Sequence, residues 1–302
     1  MKYITNEQIA PLLTHARAVK WVRESFLLKK RSKLPHKISI PFDSLNFMNT
    51  MPCMVPELNA FGAKIVTRYS NRTPSVDGEL LLYRYDNGEM LCLMDAYLIT
   101  TYRTGAVAAL AVETFAKDDF DSIGVMGLGS TGIATIKCLA SRYATRALTL
   151  NLLRYKNHID RILPWLHDNT CWNVIVSESA ESMVLESDVI ISCVTYAGED
   201  IAPIEAYRPG CLVVPVHTRG FQNCDLTFDK VFADDTSHVC GFKYFNQFKS
   251  FGEMPDVLDG TIRGRETDNE RILSYNIGIA LHDIVFAHHL YNKLIEEGTI
   301  QS

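Results

Sequence analysis

The sequence predicts an α/β protein of two domains: an α+β domain with a mostly antiparallel sheet, and a doubly wound parallel sheet. Three observations support this prediction. Across Lys37–Asp95 the apolar residues recur with a period of two, which is typical of strands. After Ser122, short apolar strands alternate with helical stretches, as in parallel sheets. A glycine-rich turn, Gly127–Gly132, separates the first of those strands from a helix.

Composition and charge indicate an ordinary globular protein of 302 residues, 47% hydrophobic and 22% charged. The net charge of −5 gives no reason to expect nucleic acid or an anionic membrane as a partner. The eight cysteines form no C-x-x-C pair, so we expect reduced thiols and no zinc or other metal site. Since signal-peptide and membrane-spanning patterns are lacking, we expect a cytoplasmic protein.

The first domain is predicted to span residues 1–117. A helix opens at Thr5–Gln8, whose spacing is that of a capping box, and continues to Phe26. Asp86–Gly88 predicts a hairpin turn, and the small-residue helix Leu98–Phe115 follows the strands. The predicted strands are Lys37–Phe42, Leu45–Met51, Ala63–Tyr69, Leu80–Tyr85 and Glu89–Met94.

The second domain is predicted to span residues 118–273, beginning with the strand Ile123–Met126. Asp256–Thr267 is polar and is expected to form a loop. A last helix, Ser274–Leu294, is expected to return to the first domain, which residues 274–302 complete. The intervening strands and helices are Ala147–Leu153, Asn157–His167, Asn173–Val176, Ser179–Glu186, Asp188–Val194, Cys211–Val216 and Lys230–Ala233.

The glycine turn has the G-x-G-x-x-G spacing of a dinucleotide site. Gly127 suits a tight turn, Gly129 lets the backbone approach a pyrophosphate, and Gly132 lets helix and strand pack closely. The N–H groups at the start of the helix, near Thr131, favour a bound anion. Because an apolar strand precedes the turn and a helical pattern follows it, we predict a nicotinamide or flavin dinucleotide site.

The choice of nicotinamide cofactor is expected at the end of the next strand, where an acid favours NAD and an arginine favours NADP. No acid occurs in Asn151–Lys156. Arg154, helped by Lys156, therefore favours NADP, with NAD still possible. The alternative is that both are exposed cations at the start of a helix.

Two cations of the first domain are candidate ligands for an anion. Lys64 lies between Ala63 and Ile65 in a predicted strand, either as a surface charge at a strand end or as a functional residue. Arg103 is predicted in the first turn of a helix, where the helix dipole disfavours a cation. Its partner is then a bound carboxylate or phosphate, or Asp95 in a structural salt bridge.

Three stretches resemble the ornithine cyclodeaminase/mu-crystallin family: Gly62–Thr67, Leu93–Ala111 and the glycine turn. The resemblance implies that Lys64 and Arg103 bind the α-carboxylate of a substrate. Lys37 stands where the family commonly has a carboxylate-binding arginine. The residues that the resemblance assigns to the cofactor are Thr104, Gly127, Gly129, Ser130, Thr131, Gly132, Arg154, Thr195 and Val216.

The resemblance also implies a homodimer in which the first domains pair their sheets into a closed barrel, with the active site facing the nucleotide domain. One position departs from the cyclodeaminases, because Arg219 stands where they have an aspartate. A guanidinium cannot act as a base or hold an ammonium group. Arg219 is expected either to hold an anionic distal group of the substrate or to pair with Asp225.

Together these observations predict an NAD(P)-dependent oxidoreductase that acts at the α-carbon of an amino or imino acid, by imine reduction or its reverse. His217, after the strand Cys211–Val216, is either a proton donor or a structural histidine. Two alternatives stay open. One is a cyclodeaminase that recycles NAD and releases ammonia, and the other is a protein that binds NADP and a small ligand without turnover.

Overall fold

The computed structural model describes residues 2–195 and 197–301. The chain forms two compact units, Met1–Arg103 with Ile279–Ser302, and Thr104–Gly278. The sequence predicts the first domain boundary between residues 117 and 118. The boundary between the two units lies instead between Arg103 and Thr104, inside a helix. The second half of that helix packs within the second unit: Gly105 lies against the backbone of Ala134, and the ring of Phe115 stacks on Phe232 at 4.4 Å.

The first part of the chain contains six strands and three helices. Short 3₁₀ turns lie at Ala10–Leu12, Lys29–Arg31 and Pro56–Leu58. In chain order the elements are β1 (Tyr3–Ile4), α1 (Asn6–Ile9), α2 (His15–Leu28), β2 (Ile38–Pro41), β3 (Phe47–Val55), β4 (Ala60–Arg68), β5 (Val76–Arg84), β6 (Met90–Asp95) and α3 (Tyr97–Phe115).

The rest of the chain alternates strands and helices, with 3₁₀ turns at Ile159–Arg161, Ile204–Ala206 and Phe245–Gln247. The elements are β7 (Ser122–Met126), α4 (Ser130–Tyr143), β8 (Thr149–Leu153), α5 (Leu163–Asn169), β9 (Asn173–Ser177), α6 (Ala180–Leu185), β10 (Val189–Ser192), β11 (Leu212–Pro215), α7 (Gln222–Thr227), β12 (Lys230–Ala233), α8 (Thr236–Val239), β13 (Phe251–Glu253), α9 (Met254–Leu258), β14 (Ile272–Tyr275) and α10 (Ala280–Glu296).

The first unit contains a six-stranded sheet in the order β1-β6-β5-β4-β3-β2, antiparallel except for the pair β1–β6. The predicted meander is confirmed, and Gly88 adopts the positive φ of 75° that its turn requires. In β4 every second residue from Ala60 to Val66 is buried. Helix α10 covers this face, and the side chain of Ile284 comes so close to Gly62 that a Cβ there would lie 3.0 Å from it.

The second unit contains an eight-stranded parallel sheet in the order β13-β12-β14-β11-β10-β7-β8-β9, which confirms the predicted doubly wound sheet. Strand β7 lies between β10 and β8, so the strand order reverses at β7. Ligands of doubly wound sheets bind beyond the carboxyl ends of the strands at such a reversal. The glycine turn follows directly from this end of β7.

Several predicted helices differ from those observed. The N-terminal helix is interrupted at Pro11, which lacks an N–H, and it restarts at α2, where Thr14 accepts a hydrogen bond from the Arg17 N–H. The predicted last helix begins only at Ala280, because Ile272–Tyr275 forms a buried strand between β11 and β12. Such a short apolar strand has no periodicity to distinguish it from a helix. The first residues of the predicted loop Asp256–Thr267 belong to helix α9. The predicted helix Asn157–His167 is instead a 3₁₀ turn followed by α5.

Among residues 2–195 and 197–301, no helix is long and apolar enough to cross a membrane. All eight cysteines are free thiols, and six of them are buried or half-buried.

Candidate active site

Lys64 is completely buried on the inner face of β4. Its Nζ donates hydrogen bonds to Asp283 Oδ1 of α10 at 2.8 Å and to Thr100 Oγ1 of α3 at 3.2 Å. The expectation that Lys64 is a surface cation at a strand end is therefore wrong. A fully buried ammonium requires a paired charge, and Asp283 supplies it.

Arg103 approaches the same carboxylate, with its Nε 3.3 Å from Asp283 Oδ1 and its side chain 7% exposed. The alternative of a salt bridge with Asp95 is wrong, because Arg103 lies against Asp283 and Asp95 accepts hydrogen bonds from the Tyr3 hydroxyl and the Asn6 N–H. Helix α3 starts at Tyr97, so Arg103 lies in its second turn rather than its first. Arg103 needs an anion because it is buried, and the helix dipole is not the reason.

Lys64, Arg103 and Asp283 form a group that we call the cation cluster, in which two cations face one carboxylate. Burial and the neighbouring charge of Arg103 lower the pKa of Lys64 to about 8, although Asp283 acts in the opposite direction. Lys64 is therefore still protonated at pH 7. Because an uncompensated charge in a buried site is costly, the cluster favours a second, bound anion.

Lys37 lies just before β2 and is half-buried. Its positive charge contributes to the lowered pKa of Lys64, so it acts on the cation cluster electrostatically. The structure thus brings Lys64 and Arg103 together at one carboxylate, and Lys37 has only a small electrostatic effect on Lys64.

The glycine turn has the geometry that a pyrophosphate site requires. Gly127 has φ +85°, and a Cβ there would lie 2.4 Å from the backbone carbon of Cys193. A Cβ on Gly132 would lie 2.2 Å from Gly127 O, whereas a Cβ on Gly129 would meet nothing within 4 Å. Two glycines are therefore required by the packing of the turn, and the third faces an open space.

That open space borders the start of α4, where Ser130 and Thr131 form the first turn. The first N–H groups of a helix have no acceptor within the helix and favour an anion. A Cβ on Gly129 would occupy the position that a closely approaching phosphate needs. The turn therefore fits a dinucleotide, which it would hold through the backbone of Gly129, Ser130 and Thr131.

Arg154 follows β8 and Glu178 follows β9, at neighbouring strand ends. The Nε of Arg154 donates to Glu178 Oε1 at 2.7 Å, and both side chains are more than half exposed. Lys156 is also exposed, with its Nζ 5.2 Å from the centre of the Tyr155 ring. Arg154 thus stands at the expected strand end, together with a carboxylate that the sequence analysis did not include.

His217 follows β11, and its Nε2 lies 2.6 Å from the hydroxyl oxygen of Ser192 at the end of β10. Burial lowers the pKa of His217 to about 4. The imidazole is therefore neutral at pH 7, so it holds no readily transferable second proton there. Its role as a proton donor stays a prediction that this pKa disfavours.

No contact in the described part of the second unit joins the other predicted residues to one another. Arg219 and Thr195 are exposed, and the N–H of Val216 donates to Ser192 O at 2.9 Å. The expected pair of Arg219 with Asp225 is wrong: Asp225 is 1% exposed and accepts a hydrogen bond from the Tyr275 hydroxyl at 2.8 Å. Thr104 is the first residue of the second unit and lies within α3.

Asp283, on which the cation cluster depends, was not among the residues predicted from the sequence. One signal was present, because Asp283 is the acidic residue of the stretch Leu281–Ala287, whose other residues are apolar except for His282. A carboxylate inside such a stretch is buried and needs a cationic partner. Ser192 gave no such signal, because serine is common in strands and turns alike.

A model of the ornithine cyclodeaminase/mu-crystallin family matches residues 4–298. The chain belongs to this family. A relative within the curated proteins is the nodulation efficiency protein NfeD of Rhizobium meliloti, 28% identical over 281 residues that cover 89% of this chain and 87% of the relative. The Delta(1)-pyrroline-2-carboxylate reductase of Bacillus cereus is 24% identical over 292 residues, covering 89% and 88%.

Among solved structures of similar fold is the Delta(1)-pyrroline-2-carboxylate reductase of Thermococcus litoralis, in complex with NADH and L-proline. Its TM-score is 0.87 at 20% identity, covering 99% of this chain and 98% of that one. The likeness shows that both halves of the chain have the ornithine cyclodeaminase/mu-crystallin fold. The resemblance seen in Lys64, Arg103 and the glycine turn thus extends along nearly the whole chain.

Proposed function

We propose that the protein is an NAD(P)-dependent oxidoreductase that reduces the C=N bond of an imino acid at its α-carbon, or oxidises the corresponding amino acid. The observation that carries this proposal is the cation cluster, because its excess buried positive charge fits the α-carboxylate of such a substrate. The glycine turn supports a dinucleotide cofactor. Relatives that reduce pyrroline-2-carboxylate support the same class of reaction.

In this proposal Lys64 and Arg103 bind the substrate carboxylate and fix the position of the α-carbon. A bound nicotinamide supplies the hydride that adds to that carbon, or accepts it in the reverse direction. Imine reduction also adds one proton to the nitrogen. Lys64 Nζ, with a pKa of about 8, holds a proton that it can release near neutral pH, and His217 is uncharged there.

We infer that the cofactor is NADP, with NAD also accepted. Arg154 is the cation at the end of β8, where the second strand of a dinucleotide domain contacts the adenosine ribose. A guanidinium binds a phosphate with two parallel hydrogen bonds, so it suits the 2′-phosphate that distinguishes NADP from NAD.

We further propose that the protein is a cytoplasmic homodimer. Strand β2 is the edge of the six-stranded sheet, and its Ile38 is 61% exposed and Ile40 47% exposed. An apolar edge strand of this kind is normally covered by a partner, and a second copy of the sheet is the partner that the family resemblance implies. Free thiols throughout the chain support a reducing compartment.

Lys64→Ala tests the proposed reaction. We expect it to abolish net oxidation of NADPH in the presence of a ketimine, followed at 340 nm, while the affinity for NADPH changes little, because Lys64 and the glycine turn belong to different units. Full activity of the variant would remove Lys64 from the mechanism. Ammonia release from ornithine without net cofactor change would instead support the cyclodeaminase alternative, and NADPH binding without either reaction would support a binding protein.

A further inference from the structure

We propose that Glu178 determines cofactor specificity by competing with the 2′-phosphate of NADP for the guanidinium of Arg154. This inference rests on the proposed function, because it presumes that a nicotinamide dinucleotide binds at the glycine turn. It adds a residue that decides which of the two nucleotides is preferred. Neither the motif nor the spacing of the sequence points to Glu178.

The backbone fixes the two side chains beside each other. Leu153 and Ser177, which precede Arg154 and Glu178, are paired in the register of β8 and β9. The N–H of Arg154 donates to Ser177 O at 2.9 Å, which extends this pairing by one residue. The Ser177 hydroxyl also donates to the buried Asn151 Oδ1 at 2.8 Å. Two neighbouring strand ends therefore present the guanidinium and the carboxylate together.

The contact between the two side chains leaves the guanidinium available to a ligand. Only one bond is formed, from Arg154 Nε to Glu178 Oε1 at 2.7 Å, and the side chains are 51% and 72% exposed. The two terminal nitrogens of a guanidinium remain able to bind a phosphate when Nε is used by a carboxylate. A phosphate bound there would lie near the negative charge of Glu178.

The charges of Arg154 and Glu178 affect the binding of NADP and the binding of NAD in opposite ways. The 2′-phosphate of NADP gains from Arg154 but is repelled by Glu178, so the net attraction is weakened. NAD has a 2′-hydroxyl at this position, which can donate a hydrogen bond to the Glu178 carboxylate. Glu178 therefore reduces the preference for NADP that Arg154 alone would give.

The experiment is a direct titration of the purified protein with NADPH and with NADH, followed by nucleotide fluorescence without substrate. For Glu178→Gln we expect NADPH to bind about two to five times more tightly and NADH somewhat more weakly, consistent with the loss of one exposed charge interaction. For Arg154→Gln we expect weaker NADPH binding and little change for NADH. In the double variant the gain from Glu178→Gln should be smaller than in the single variant, because only the direct repulsion between Glu178 and the phosphate remains to be removed.

Glu186→Gln is the matched control, since it removes an exposed carboxylate at the end of α6 and should leave both affinities unchanged. An unchanged ratio of NADPH to NADH affinity in Glu178→Gln would overturn the inference while leaving the proposed function intact. Weaker NADPH binding would also overturn it, because Glu178 would then orient Arg154 for the phosphate. Binding of neither nucleotide by the unaltered protein would refute the proposed function itself.

Discussion

Asp283 explains why a lysine can be fully buried in the first unit. Its Oδ1 pairs with Lys64 Nζ at 2.8 Å and with Arg103 Nε at 3.3 Å, while its own side chain is 0% exposed. The single negative charge of this carboxylate stabilises both buried cations, but it leaves the group with a net positive charge. Asp283 thus supports the site, and the remaining positive charge is available to bind an anionic substrate.

The lowered pKa of Lys64 predicts how ligand binding depends on pH. With a pKa of about 8, Lys64 is charged below this value and neutral above it. The affinity for a carboxylate ligand should therefore fall as the pH rises through about 8. Calorimetric titration with an imino or amino acid that the activity assay identifies as a substrate, between pH 6.5 and 9.5, measures this change, in buffers whose ionisation heats are corrected for.

Two controls separate Lys64 from other groups in that titration. Lys64→Ala should bind the same ligand weakly at every pH in the range and show no step near pH 8. The affinity for NADPH should show no change near pH 8 that depends on Lys64, because the glycine turn lies in the other unit. An affinity of the unaltered protein that stays constant up to pH 9.5 would contradict the assignment of Lys64 as the carboxylate ligand.

From the sequence, a residue of this site could be recognised only by its immediate neighbours along the chain. Lys64 stood out because a charge was placed between apolar strand neighbours, and Arg103 because it was predicted in the first turn of a helix, where the dipole disfavours a cation. Their shared partner lies 219 residues beyond Lys64, so no local pattern could connect them. Asp95, the alternative partner of Arg103, was wrong for the same reason, because it is near in sequence but hydrogen-bonded to the N-terminal segment.

At the scale of elements, periodicity predicted the structure well wherever an element is long and half-buried. Strand β4 alternates as expected, and α4 begins where the glycine turn predicts. The fully buried four-residue strand β14 was not predicted as a strand, because it has no polar face to set its period. The parallel sheet nevertheless follows from its strands β7 to β12, which the sequence placed nearly correctly.

The glycine turn supplies a prediction that separates folding from cofactor binding. Gly129→Ala should leave the melting temperature nearly unchanged, because its Cβ meets no atom within 4 Å. The same Cβ enters the space in front of the helix start, so NADPH affinity should fall by about tenfold or more, as for a lost close phosphate contact. Thermal unfolding and fluorescence titration measure the two effects on the same sample.

Gly127→Ala is the comparison for that experiment. A Cβ there would lie 2.4 Å from the backbone of Cys193, and φ is +85°, so this variant should lose stability before binding is tested. If Gly129→Ala bound NADPH as tightly as the unaltered protein, the pyrophosphate would not lie against this turn.

For the whole molecule, the important feature is which segments of the chain form each unit. The second unit is one continuous segment, whereas the first uses both ends of the chain, with α10 covering the sheet that begins near residue 3. Helix α10 also carries Asp283 into the cation cluster. The core and the candidate substrate site of the first unit therefore depend on the same C-terminal helix.

The proposed homodimer is tested at the edge of that sheet. Ile38 and Ile40 are exposed on β2, whose outer edge has no neighbouring strand in the six-stranded sheet. Replacing both with lysine should give a monomer by light scattering coupled to size exclusion, because two charges on an edge strand oppose its pairing with a second copy. Leu185→Lys, which changes a side chain 50% exposed on α6, should leave the dimer intact. If the unaltered protein is already monomeric at tens of micromolar, β2 is not a subunit interface, and the exposure of its isoleucines requires a different partner.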